Sequence, residues 1–231
     1  MSSKEAQMEA RLRARPLLKT GFAPVGLQPL MFGAARDGYL YVPTTYRADR
    51  PAPLVLLLHG AGGHARQGLD LLRSLADAAG LQLLAPASRD HTWDLFVDRR
   101  DGPDAAMIDR ALEQMFSRYA IDPVRLAIGD FSDGASYAFS LGITNGDLFT
   151  HVIAFSPGFL APAGHTGSRW IFLSHGTDDG GLPIGRSSRR IVPELKRGGY
   201  DVFYREFDGG HTILPEIASE AVSWFTKEKV P

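Results

Sequence analysis

Residues 125–137, RLAIGDFSDGASY, constrain this chain more than any other stretch. Leu126, Ala127 and Ile128 form an apolar run that reads as a buried strand. Phe131-Ser132-Asp133-Gly134 reads as a sharp turn, and Ala135 onward as a helix of small and apolar residues. A turn of this kind lifts the Ser132 hydroxyl clear of a sheet, and the helix after it aims its first N–H groups at any negative charge developing there. Ser132 is therefore a candidate nucleophile, although a serine at this place is also an ordinary helix N-cap.

The rest of the chain alternates in the same way. Residues 26–32 and 39–42 read as a leading hairpin around the turn at Asp37-Gly38. Residues 53–59, PLVLLLH, are apolar without alternation, as in a strand buried on both faces of a parallel sheet. A helix over 65–79 presents Leu69, Leu72, Leu75 and Ala76 on one face, and Gly80 stops it before a further strand in LQLLAP. A helix over 104–119, strands at 151–155 and 170–173, a helix over 187–197, a strand at 201–207 and a closing helix over 214–226 follow. The pattern predicts an α/β protein with a mostly parallel central sheet and helices on both faces. Residues 1–19, dense in Lys and Arg, are expected to be a solvated N-terminal arm, and 20–231 a single domain.

Composition narrows the function. Twenty-five Lys and Arg stand against 26 Asp and Glu, which gives no signature for nucleic acid or an anionic membrane. There is no cysteine, so disulfides, a thiol nucleophile and Cys-ligated metals are excluded. The first residues carry no apolar core of a signal peptide, and no apolar run reaches the roughly 18 residues of a membrane span. A cytoplasmic protein acting on a small molecule is the expectation, with oligomeric state left open.

In parallel sheets, ligands collect where the strands end. After PLVLLLH comes Gly60-Ala61-Gly62-Gly63, after the central strand Ser132, after WIFLSHG Asp178 and Asp179, and after YREFDGG His211. A hydroxyl needs a base to become a nucleophile, an imidazole serves near neutral pH, and a carboxylate fixes the imidazole's tautomer. The Ala61 and Asp133 N–H groups are placed to hold an oxyanion.

LLLHGAGG, FSDGASY, SHGTDD with LPI, and FDGGHT together resemble the phospholipase/carboxylesterase branch of the α/β-hydrolase fold, relatives of dienelactone hydrolase. That resemblance, spanning about residues 26–225, implies a serine hydrolase of carboxylic esters with Ser132, Asp179 and His211 as catalytic residues. It places the oxyanion loop on Gly60-Ala61 and implies neither metal nor cofactor. Dienelactone, thioester or amide cleavage, or binding without turnover, remain alternatives. Trp93 and Phe96 match the family's loop after the fourth strand and, with Phe131, Leu182 and Ile184, are candidate substrate-binding residues. His59 and His175, each ending a strand before glycine, read as structural histidines, and His64 and His91 fall near the site's mouth without a metal-binding pattern. Only residues 156–169 separate two strands where many relatives carry a helical cap, so no cap and short-chain substrates are expected.

Two positions depart from the family. Gly181 stands where an apolar residue is usual, and Asp130 takes the place of the first glycine of G-x-S-x-G. A carboxylate there is expected to strain the turn unless it points outward to an arginine or to water.

Overall fold

The computed structural model describes residues 10–17, 23–33, 36–97, 102–167 and 170–227. The side chains of Phe96 and Val97, and residues 1–9 and 18–19 of the expected arm, lie outside this set.

Eight strands form one sheet: β1 (Gly26–Pro29), β2 (Tyr39–Val42), β3 (Ala52–Leu57), β4 (Gln82–Ala85), β5 (Ile121–Phe131), β6 (His151–Phe155), β7 (Trp170–Gly176) and β8 (Asp201–Phe207). Their order is β1-β2-β4-β3-β5-β6-β7-β8. The leading hairpin pairs antiparallel through β2 onto β4, and every pair from β4 to β8 is parallel. Helices α1 (Ala65–Ala79), α2 (Asp94–Val97), α3 (Pro103–Arg118), α4 (Asp133–Thr144), α5 (Ser188–Arg197) and α6 (Pro215–Thr226) connect them. The one-turn helix α2 falls where the sequence reads as loop.

The doubly buried run in β3 sorts its side chains by turns onto the two faces. Leu54 and Leu56 join Ile108, Leu112 and Met115 of α3 and the apolar face of α4 in one core. Val55 and Leu57 join Leu69 and Leu72 of α1 and Ala221 and Phe225 of α6 in the other. Gly80 ends α1 in the left-handed conformation, φ 61°, its N–H bonding back to Ala76 and Asp77. Residues 156–167 carry no helix, and among the described residues no helix is long and apolar enough to cross a membrane.

Residues 10–17 lie against the body, with only Arg13 and Leu17 of them exposed. Ala10 and Leu12 are buried. Asn145, at the end of α4, accepts the Leu12 N–H and donates to the Ala10 carbonyl. Arg11 pairs with Asp147 through both terminal nitrogens at 2.8 Å, and Asp109 of α3 accepts the Arg13 and Ala14 N–H groups. Alternating charged and small residues conceal a strap whose polar groups are matched on the body.

Candidate active site

β5 ends in a turn that forces Ser132 to φ 59° and ψ −122°, a conformation costing a non-glycine residue roughly 1 to 3 kcal/mol. The neighbours hold it there: the Ser132 N–H bonds the Phe155 carbonyl at 2.9 Å, and the Ser132 carbonyl accepts the Ser136 N–H at 3.0 Å. Gly134 is required by space, since a Cβ there would fall 1.4 Å from the Leu58 carbonyl oxygen. Ser132 occupies the N-cap position of α4, but its hydroxyl caps nothing. It faces His211 instead.

His211 Nε2 lies 2.9 Å from Ser132 Oγ, and its Nδ1 lies 2.6 Å from Asp179 Oδ2. With Nδ1–H donating to the carboxylate, Nε2 is left to accept the serine proton. Asp179 is buried at the end of the β7 turn. Its Oδ1 accepts the Gly181 and Leu182 N–H groups at 2.9 and 2.7 Å. Burial raises its pKa, but the Leu182 N–H and the contact with His211 outweigh that and hold it below the usual carboxylate range. Asp178, beside it, is exposed.

The loop after β3 packs against the serine. A Cβ at Gly60 would sit 3.5 Å from Ser132 Cβ, and the Gly62 N–H is pinned to the His91 carbonyl at 2.7 Å. Among the described residues, neither the Ala61 nor the Asp133 N–H has a protein acceptor. Both belong to segments flanking Ser132, as an oxyanion site requires.

No family model matches the chain. A probable feruloyl esterase C of Aspergillus flavus is 27% identical over 215 residues, covering 78% of this chain and 77% of its own. Among solved structures, an S-formylglutathione hydrolase from Staphylococcus aureus superposes with a TM-score of 0.71 at 13% identity, covering 90% of this chain and all of its own. A thermostable esterase superposes at 0.62 and 23% identity, covering 81% of this chain, which spans 57% of that structure. The fold is that of the α/β-hydrolases.

A cleft of about 270 Å³ opens beside Ser132 and His211. Its walls include Phe131, Leu71 and Ile213, with Gln67, Gly68 and Asp130 among its remaining lining residues. The Phe131 ring packs 4.4 Å from the His211 ring, so the expected contact residue Phe131 does line the site. Trp93 does not. Its side chain is 0% exposed, donates to the His59 carbonyl at 2.8 Å and stacks on Tyr137, so it is a core residue beneath the loop. Leu182 fixes Asp179 through its N–H and abuts Gly158 without being among the residues that line this cleft, and Ile184 is buried. The Phe96 side chain is outside the described residues.

The histidines divide as their burial dictates. His59 Nε2 accepts the Ser88 N–H while Nδ1 donates to the Gly60 carbonyl, and burial pushes its pKa down to about 4, so it is a neutral support for the loop after β3. His64 caps α1 by accepting the Gln67 N–H. His175 is buried and its pKa is lowered, chiefly by that burial. Its Nδ1 meets Ser188 Oγ at 2.6 Å, and its Nε2 lies 2.8 Å from the Leu182 carbonyl and 3.1 Å from Asp179 Oδ2. This support of Asp179 is not foreseen in the sequence reading, although the four-residue spacing in HGTDD is its trace.

Asp130 does not point outward to an arginine or to water. It is 3% exposed and turned toward Gly68 of α1. Burial pushes its pKa up to about 7, against the opposing effect of the Phe131 N–H bonded to Oδ1. Gly68, without a side chain in the middle of a helix, makes the room.

Proposed function

We propose that this α/β-hydrolase is a serine esterase that cleaves carboxylic esters through an acyl-enzyme. The carrying observation is His211, which bridges Ser132 at 2.9 Å and Asp179 at 2.6 Å. In this reading Nε2 takes the Ser132 proton as Oγ attacks the ester carbonyl, and Asp179 stabilises the resulting imidazolium. The Ala61 and Asp133 N–H groups receive the oxyanion, and the positive end of α4 adds to their effect. His211 then protonates the departing alcohol, and water, activated by the same imidazole, releases the acid.

The esterase names of the relative and of a solved neighbour agree with this chemistry. The cleft, below the usual 300 to 1,000 Å³ of drug-sized sites, supports small substrates. Steady-state hydrolysis of p-nitrophenyl acetate and butyrate tests the reading: saturable turnover lost in Ser132→Ala is expected, and equal turnover by that variant would overturn it.

A further inference from the structure

Asp130 stands outside the hydrogen-bond chain of Ser132, His211 and Asp179, yet it lines the same cleft. Its Oδ1 accepts the Phe131 N–H at 2.7 Å. Its Oδ2 is buried and, among the described residues, has no hydrogen-bond partner. Among the described residues no cation offsets the effect of burial on it. An unpaired buried carboxyl oxygen costs the folded protein free energy, and α1 gives up a side chain at Gly68 to accommodate it. Such a group in the lining of a cleft beside Ser132 is accounted for if something bound there pairs with it.

We propose that Asp130 is a specificity-determining residue whose free carboxyl oxygen hydrogen-bonds a hydroxyl on the part of the ester lodged in this cleft, so that hydroxylated esters are preferred to their alkyl counterparts. The proposal rests on the esterase reading for its substrate and on the cleft for its geometry. A hydroxyl both donates and accepts, so it satisfies the carboxyl whether protonated or ionised. It is uncharged, which suits the walls formed by Leu71, Phe131 and Ile213. An ammonium would need the ionised carboxylate in an enclosed place, and an anionic substituent would meet a second carboxyl. The cost of the unpaired oxygen is already carried by the free protein. A bound hydroxyl recovers it and an alkyl group does not, and that difference is the selectivity.

The test compares two matched pairs, propyl acetate with 2,3-dihydroxypropyl acetate and ethyl butyrate with ethyl 3-hydroxybutyrate, so that the alcohol and acyl sides are both sampled. Wild type is expected to favour the hydroxylated member of at least one pair by about tenfold or more in kcat/KM, the scale of one recovered hydrogen bond. In Asp130→Ala that ratio falls to about one, and Asp130→Asn, which keeps a hydrogen-bonding group of the same shape, retains part of it. Because the readout is a ratio, changes in elbow geometry common to both esters cancel. Ligand-observed NMR titration of the same pairs into Ser132→Ala, with and without Asp130→Ala, measures the preference without turnover. A protein that hydrolyses no ester would refute the esterase reading, while the binding preference would still decide the role of Asp130. Equal treatment of both members by wild type, or a preference that survives Asp130→Ala, overturns the proposal and leaves Oδ2 to a water molecule.

Discussion

Gly68 and Asp130 are a steric pair across the α1–β5 interface: a Cβ at residue 68 would come within 2.7 Å of Asp130 Oδ2. In an ordinary helix, Gly→Ala gains up to about 1 kcal/mol. Here Gly68→Ala is expected to destabilise wild type by about 1 to 3 kcal/mol, the scale of overpacking, and to stabilise an Asp130→Gly background. Urea denaturation of the four proteins measures the cycle, and additive effects would contradict the pairing.

Asp130 also sets a pH dependence. Its folded pKa, about 7, lies above the ordinary value near 3.8, so the native state holds a proton that the unfolded chain releases at lower pH. Its contribution to stability is therefore fully present below about pH 4 and lost as pH rises through 7. Asp130→Ala should gain on wild type across that window by an amount on the order of 4 kcal/mol, and no further above about pH 8. Denaturation midpoints converted to free energies at pH 4, 6 and 8 check this, and a constant difference would contradict it.

The two supports of Asp179 give a third expectation. Asp179→Asn should cost far more in kcat than Asp178→Asn, since the wrong histidine tautomer alone can cost about 10⁴-fold. His175→Gln, which leaves His211 and Ser132 untouched, should lower kcat by about 10- to 100-fold with KM little changed, because a slightly misplaced acid misorients the base. Equal costs at 178 and 179, or a His175→Gln effect confined to KM, would contradict the arrangement.

The sheet was legible because burial on both faces leaves uninterrupted apolar runs, and PLVLLLH and HVIAF mark β3 and β6 nearly to the residue. The order of Ser132, Asp179 and His211 was legible because strand ends are marked by glycine, where chemistry collects. What escaped depends on contacts between segments distant in sequence. Trp93 sits in an exposed-looking loop sequence, and its burial comes from contacts with His59 and the Tyr137 ring, distant in sequence. The strap at residues 10–17 needed Asn145, Asp147 and Asp109 to be seen as anything but a charged tail. The direction of Asp130 was set by Gly68, whose lone place within a helical pattern was the available signal.

Acyl length should follow the cleft. With about 270 Å³ beside the serine and no helix over residues 156–167, acyl chains of about two to six carbons should be hydrolysed faster than long ones. Each further methylene gains its roughly 0.8 kcal/mol only where a wall receives it. A p-nitrophenyl ester series from acetate to palmitate, compared by kcat/KM, should peak early; a steady rise to palmitate would contradict the short-cleft reading.

Ser132 is expected to be the nucleophile, activated by His211. Incubation with a fluorophosphonate, followed by digestion and mass-spectrometric mapping, tests it most directly. One adduct per chain is expected, on Ser132, formed in wild type and abolished or strongly slowed in His211→Ala. An adduct on any other residue, or labelling of Ser132 that proceeds equally fast without His211, would contradict it.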